Sequence, residues 1–112
     1  METGRLVVVN CAAPREKFWG VLLELAPVGL TVRCLTLDTF EDWLQQHLGG
    51  GPELLGPVTL FLPIHRVERV ELDETTGAVE GIGSRFFRVT GRDPVRALLG
   101  RGYGGDDDSP QM

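Results

Sequence analysis

Four side chains in this sequence suit nucleophilic, acid–base or soft-metal chemistry near neutral pH: Cys11, Cys34, His47 and His65. A catalytic thiol needs a histidine within hydrogen-bond reach, and no spacing here brings either cysteine to either histidine. Neither cysteine has a partner at zinc-ligand spacing, and no CxxC pair is present. Both lie in apolar, strand-like runs, so the expectation is two buried, reduced thiols that pack as small hydrophobes. His47 falls on the apolar side of a helical stretch near its C-terminal end, where positive charge is favoured, and reads as structural. His65 stands between Ile64 and Arg66 and follows Pro63 closely. With Arg66 and Arg69 it is the candidate contact for a ligand or a nucleic acid, as an anion-recognising group or a general base. The 15 glycines form no dinucleotide or phosphate-binding loop, and Gly49-Gly50-Gly51 lacks the lysine that would hold a phosphate. No catalytic set, metal site or cofactor follows from these residues, and the expectation is a non-enzymatic protein.

Charge narrows the partners. Eleven basic against 16 acidic residues leave a net charge of −5, which repels phosphate backbones unless the cations cluster. Arg85, Arg88, Arg92, Arg96 and Arg101 do cluster, with Asp93 the single acid among them, and Asp106, Asp107 and Asp108 follow. This segment reads as a solvated helical face, or as a cationic patch for an acidic partner that the tail masks. Residues 101–112 read as a disordered acidic tail. No apolar run approaches the ~20 residues of a membrane span. The opening Met1-Glu2-Thr3-Gly4-Arg5 has no secretory character, so the expected location is the cytoplasm.

The elements that would position these side chains are mostly strands. Residues 6–11 are short and β-branched, and residues 17–25 form a second strand that Gly20 bends or bulges. Pro27 and Gly29 make a turn, with Gly29 in a left-handed conformation, and residues 30–37 return as the second arm of a hairpin. Their alternation slips at Cys34-Leu35, which predicts a bulge or bend there. Asp38 and Glu41 frame a capped helix that carries Phe40, Trp43, Leu44, His47 and Leu48 on one face and ends at Gly49. Residues 58–62 are a strand that Pro63 confines to an edge or a kink, and residues 64–72 continue extended. Ser84 caps a short helix that Gly91 closes, and Asp93-Pro94 opens another that Gly100 stops.

Phe18 and Trp19 are neighbours on a strand, so they point to opposite faces. One of them leaves the local core unless a second layer or another chain covers it, which makes the pair a candidate interface. Phe86-Phe87 poses the same question on a helix.

Residues 18–72 resemble an Sm-like small β-barrel. The resemblance rests on the aromatic-Gly-hydrophobic strand Phe18-Trp19-Gly20-Val21-Leu22-Leu23, the tight turn ending in Gly29 and its return strand, and the segment Leu62-Pro63-Ile64-His65-Arg66-Val67. It implies strongly bent strands that close a small barrel, with edge strands pairing between subunits into rings. The sequence departs from the family in opening on a strand rather than a helix, and in a helix over residues 39–48 inserted between barrel strands. The family's RNA-binding loops have no counterpart, so RNA binding is not carried over.

The expected fold is therefore α+β: a small, strongly bent antiparallel β-sheet or barrel of about five strands, with one inserted helix and two short C-terminal helices. Residues 1–100 form a single domain, β-rich over 5–73 and helical over 83–99. The expected function is an interaction module that self-associates through a sheet edge, its partner being itself or another protein. Sm-like RNA binding and a small ligand-binding regulator or enzyme near His65 are the alternatives.

Overall fold

β-branched and apolar residues draw four segments into extended backbone: β1 (Leu6–Cys11), β2 (Glu16–Ala26), β3 (Gly29–Thr36) and β4 (Val58–Pro63). A fifth strand, β5 (Val67–Leu72), alternates apolar and charged residues. The computed structural model describes residues 1–50 and 52–100, and the expected acidic tail and Arg101 lie outside them. Among the described residues the strands form one antiparallel sheet in the order β4-β3-β2-β1-β5. Helix α1 (Phe40–Gly49) is inserted between β3 and β4, and α2 (Ile82–Thr90) and α3 (Pro94–Leu99) follow β5. The fold is α+β, as the sequence leads one to expect.

The outermost strands are consecutive in the chain. Only a 3-10 turn, Ile64–Arg66, lies between β4 and β5. From Pro63 to Val67 the chain reaches at most about 14 Å, so the sheet must curl to bring its two edges together. It does so without closing: β4 and β5 do not pair, and the barrel stays open. Residues 64–66 are thus a helical turn rather than the extended segment expected, because the chain has to change edges there.

Gly20 lets β2 and β3 approach closely. A Cβ at this position would sit 2.1 Å from the Arg33 carbonyl oxygen and 2.6 Å from the Cys34 Cα. The bulge itself falls further along β2, where the register slips between Leu22 and Glu24. The expected irregularity at Cys34-Leu35 is absent, since Cys34 pairs with Gly20 and Leu35 with Trp19 in unbroken register. Both residues are apolar because both faces of the sheet are covered. Gly29 also corrects the sequence reading. It is not left-handed; it is small because a Cβ would lie 2.4 Å from the Leu62 carbonyl oxygen.

Two apolar layers result. The concave side holds Val7, Val9, Cys11, Leu22, Val32 and Cys34, walled by side chains from both edge strands. On the convex side, Trp19, Val21 and Leu35 meet Phe40, Trp43 and Leu44 of α1, Phe86 of α2 and Leu98 of α3. Leu48, expected on the apolar face of α1, is half exposed.

The helix ends differ from the expected caps in two places. A 3-10 turn (Leu37–Thr39) precedes α1, Thr39 is its N-cap residue, and Asp38 makes no cap; Gly50, not Gly49, ends the helix in the left-handed conformation. Gly81, not Ser84, is the N-cap residue of α2. Gly91 closes it at φ 75°, and Asp93 caps α3 by accepting from the Arg96 amide, with Pro94 in the first turn.

Candidate functional site

Phe18 and Trp19 do point to opposite faces, and the fold covers both: Phe18 is 6% exposed and Trp19 fully buried. The second layer that shields Trp19 is the helical one, so no other chain is needed. This removes the pair as an exposed interface. The exposed aromatic rings among the described residues are Phe61 on β4 and Phe87 on α2.

Trp19 is tied to Asp73, the residue that follows β5. Its indole Nε1 donates to Asp73 Oδ2 at 2.8 Å. The same carboxylate accepts the backbone amides of Ile82 and Gly83, each at 2.7 Å. Asp73 thus serves as the N-terminal acceptor of α2 from outside the helix, and locks β5, α2 and the convex core together. Gly83 stays small because a Cβ would lie 2.5 Å from a methyl of Leu6. Asp73→Ala removes a helix cap and leaves a buried indole N–H unpaired, for about 2 kcal/mol of lost stability. The midpoint of thermal unfolding should fall by about 10 °C, with Asp73→Asn recovering part of it. An unchanged midpoint would show that the node carries no weight.

The residues expected to meet a ligand or nucleic acid divide. His65 is exposed on the 3-10 turn between the two edge strands. Arg66 is engaged: its Nε donates to the Ala12 carbonyl at 3.1 Å, and its Nη2 to the Pro14 carbonyl at 2.7 Å and to Glu16 at 3.0 Å. It fastens the β1–β2 connection, which holds a cis Ala13–Pro14 bond, to the end of the sheet. Arg69 is exposed on β5 and pairs with Glu71 at 2.6 Å. The three do not form one site.

Both cysteines are free and buried in the concave core, as expected. Burial pushes the Cys34 thiol up to about 12 and raises Cys11 as well, so neither is a nucleophile at neutral pH.

The arginine-rich segment also divides. Arg85 makes a bidentate pair with Glu41 of α1, and Arg88 one with Glu80. Arg92 and Arg96 line a groove of about 860 Å³, together with Arg33 of β3 and His47 of α1. A smaller recess of about 180 Å³ shares His47, Glu53 and Arg92 with it. Arg33 is held by the Leu98 carbonyl at 3.0 Å, and His47 Nδ1 contacts the Trp43 carbonyl at 3.0 Å. The imidazole packs edge-on against Trp43 and Phe86. Gln46 pins residues 54–55 against α1, accepting both of their amides, which sets Glu53 on the rim. Arg33 and His47 lie far from Arg92 and Arg96 in the chain, so spacing could not have assembled this groove. Among the described residues no cluster of three or more metal-binding side chains occurs.

No family model, curated protein or solved structure matches this chain. Fold and surface are therefore what bears on function. No helix among the described residues is long and apolar enough to cross a membrane.

Proposed function

We propose that the chain is a non-enzymatic interaction module that self-associates through the open β4 edge of its curled sheet. The observation that carries this reading is the composition of that edge. β4 reads VTLFLP, with no charge along it, and Val58 and Phe61 are 50% and 54% exposed. Ile64, which follows directly, is 49% exposed, and Val28 of the adjoining turn is 67% exposed. An uncharged, apolar edge strand with unpaired amides and carbonyls is a template for another strand. The opposite edge, β5, carries Glu68, Arg69 and Glu71, the kind of charge that discourages such pairing. The resemblance of residues 18–72 to the Sm-like family points the same way, since edge pairing is how that family assembles.

The partner in this reading is a second copy of the chain. Pairing of β4 with β4 closes a two-fold dimer, whereas β4 on β5 of the next copy builds a ring. Native mass spectrometry of the full chain is expected to give a defined multiple of the protomer mass. Phe61→Glu places a charge on the edge without touching the core, and should return the protein to monomer with its unfolding midpoint nearly unchanged. A wild-type protein that stays monomeric at every concentration measured would overturn the reading. So would a Phe61→Glu variant that assembles as before.

The nucleic-acid reading has less support, because Arg66 and Arg69 already hold Glu16, Glu71 and backbone carbonyls.

A further inference from the structure

We infer that β4 pairs antiparallel with β4 of a second copy of the chain, about a two-fold axis at Phe61, and that β5 takes no part. On the edge-pairing reading above, on which this rests, β4–β4 and β4–β5 contacts are both open, and the backbone decides between them. The Ile64 amide donates to the Val28 carbonyl at 2.9 Å. A Cβ on Gly29 would lie 2.4 Å from the Leu62 carbonyl oxygen, so that carbonyl also points at β3. Along an antiparallel edge strand, successive residues turn their backbone groups alternately inward and outward. Val58, Leu60 and Leu62 therefore spend theirs on Cys34, Val32 and Leu30 of β3, and Thr59, Phe61 and Pro63 turn theirs out of the sheet. Proline has no N–H. The free edge thus offers its donors at Thr59 and Phe61, bracketed by Pro57 and Pro63.

The same alternation fixes the other edge. The Asp73 amide donates to the Leu6 carbonyl at 2.9 Å, so Arg69, Glu71 and Asp73 face β1, and Val70 and Leu72 turn their backbone groups outward. Residues directly opposed on antiparallel strands share a hydrogen-bonding state and a face. Antiparallel pairing of β4 with β5 then opposes Thr59 and Phe61 to Val70 and Leu72. It thereby sets the apolar Val58, Leu60 and Leu62 against Arg69, Glu71 and Asp73. Parallel pairing, the weaker kind per residue, lays Thr59 and Phe61 beside Arg69 and Glu71 instead. Two copies of β4 meet without this conflict. With Phe61 opposite its counterpart, Leu60 faces Leu62 and Val58 faces Ile64 of the second copy. Val58, Phe61 and Ile64 are 50%, 54% and 49% exposed, and this register covers all three. The Thr59 amide meets the Pro63 carbonyl, and Phe61 exchanges bonds with its counterpart, so each outward donor finds an acceptor. Two chains of net charge −5 come together along a strip that bears no charge. The two five-stranded sheets merge with their concave cores on one side and their helices on the other.

Residue-resolved amide hydrogen exchange of the full chain, at rising protein concentration, is the test. The Thr59 and Phe61 amides should gain protection as the native mass shifts from one protomer to two, while those of Val70 and Leu72 keep their rates. Thr59→Pro deletes an outward donor at an edge position that tolerates proline, and should leave a folded monomer. Under mild oxidation by glutathione disulfide, Phe61→Cys should close a covalent dimer faster than Thr59→Cys, and the reverse order would overturn the register. An oligomer that protects Val70 and Leu72 together with Thr59 and Phe61 would overturn the two-fold pairing and leave edge pairing standing. A folded Thr59→Pro protein that dimerises as before would overturn the two-fold pairing. A wild-type chain that stays monomeric, or a dimer with all four amides unprotected, would overturn the edge reading and the two-fold pairing with it.

Discussion

Trp19→Ala is expected to bring the protein to the verge of unfolding, with a loss of about 4 kcal/mol. The side chain is fully buried at the centre of the convex core. Its ring meets Phe40 edge-on at 5.0 Å and Trp43 at 5.9 Å, and its N–H holds Asp73. Truncation removes the apolar burial, two aromatic contacts and one hydrogen bond, and leaves a cavity between sheet and helices. A domain of this size has a total stability of roughly 5–15 kcal/mol, so little would remain. Trp19→Phe separates the contributions. It keeps a ring in place and deletes the donor, for about 1 kcal/mol beyond any repacking cost. Chemical denaturation of the three proteins measures both. On the proposed edge-pairing reading, Trp19→Ala should affect assembly only by losing the fold, whereas Phe61→Glu should abolish it while folded. A Trp19→Ala protein that keeps its unfolding midpoint would contradict the placement of this ring.

Gly20→Ala is expected to destabilise by about 3 kcal/mol, although the substitution adds a single methyl. In an ordinary strand the same change would be favourable by about 0.5–1 kcal/mol, because glycine loses more backbone freedom on folding. Sterics decide the sign here. The new Cβ would lie 2.1 Å from the Arg33 carbonyl oxygen and 2.6 Å from both Cα and Cβ of Cys34. These atoms belong to the neighbouring strand, so relief requires β2 and β3 to part where the sheet curls. The concave core would open at Cys34, a thiol otherwise held near 12 by burial. Unfolding midpoints give the first readout. Thiol labelling of the folded variant gives the second, with Cys34 reacting faster than in the wild type. A Gly20→Ala protein that is as stable as the wild type and equally unreactive would show that the curl does not depend on this position.

The two substitutions separate what the sequence offers from what it withholds. Gly20 in an apolar strand is a visible signal of bend or close approach, and the structure places the close approach there. Asp93-Pro94 and Gly91 were equally legible, because capping and left-handed closure act within one helical turn. Asp38 and Ser84 have the right residue types for caps and do not serve as such. In one case a 3-10 turn intervenes, and in the other Asp73 supplies the acceptor from the end of β5.

By itself, then, the sequence determined the hairpin, the inserted helix, the approximate course of the strands and the buried state of the two cysteines, and it narrowed β4 to an edge or a kink. Each follows from periodicity, turn chemistry or apolar character over a few neighbouring residues. Only the tertiary structure decided that Trp19 is core rather than interface, since that depends on helices folding back over the convex face. Arg66 gripping the β1–β2 connection and Asp73 holding Trp19 both join groups 54 residues apart. Arg33, His47, Arg92 and Arg96 share a groove for the same reason. Such meetings are fixed by strand order and by how far the sheet curls, and no local pattern encodes either.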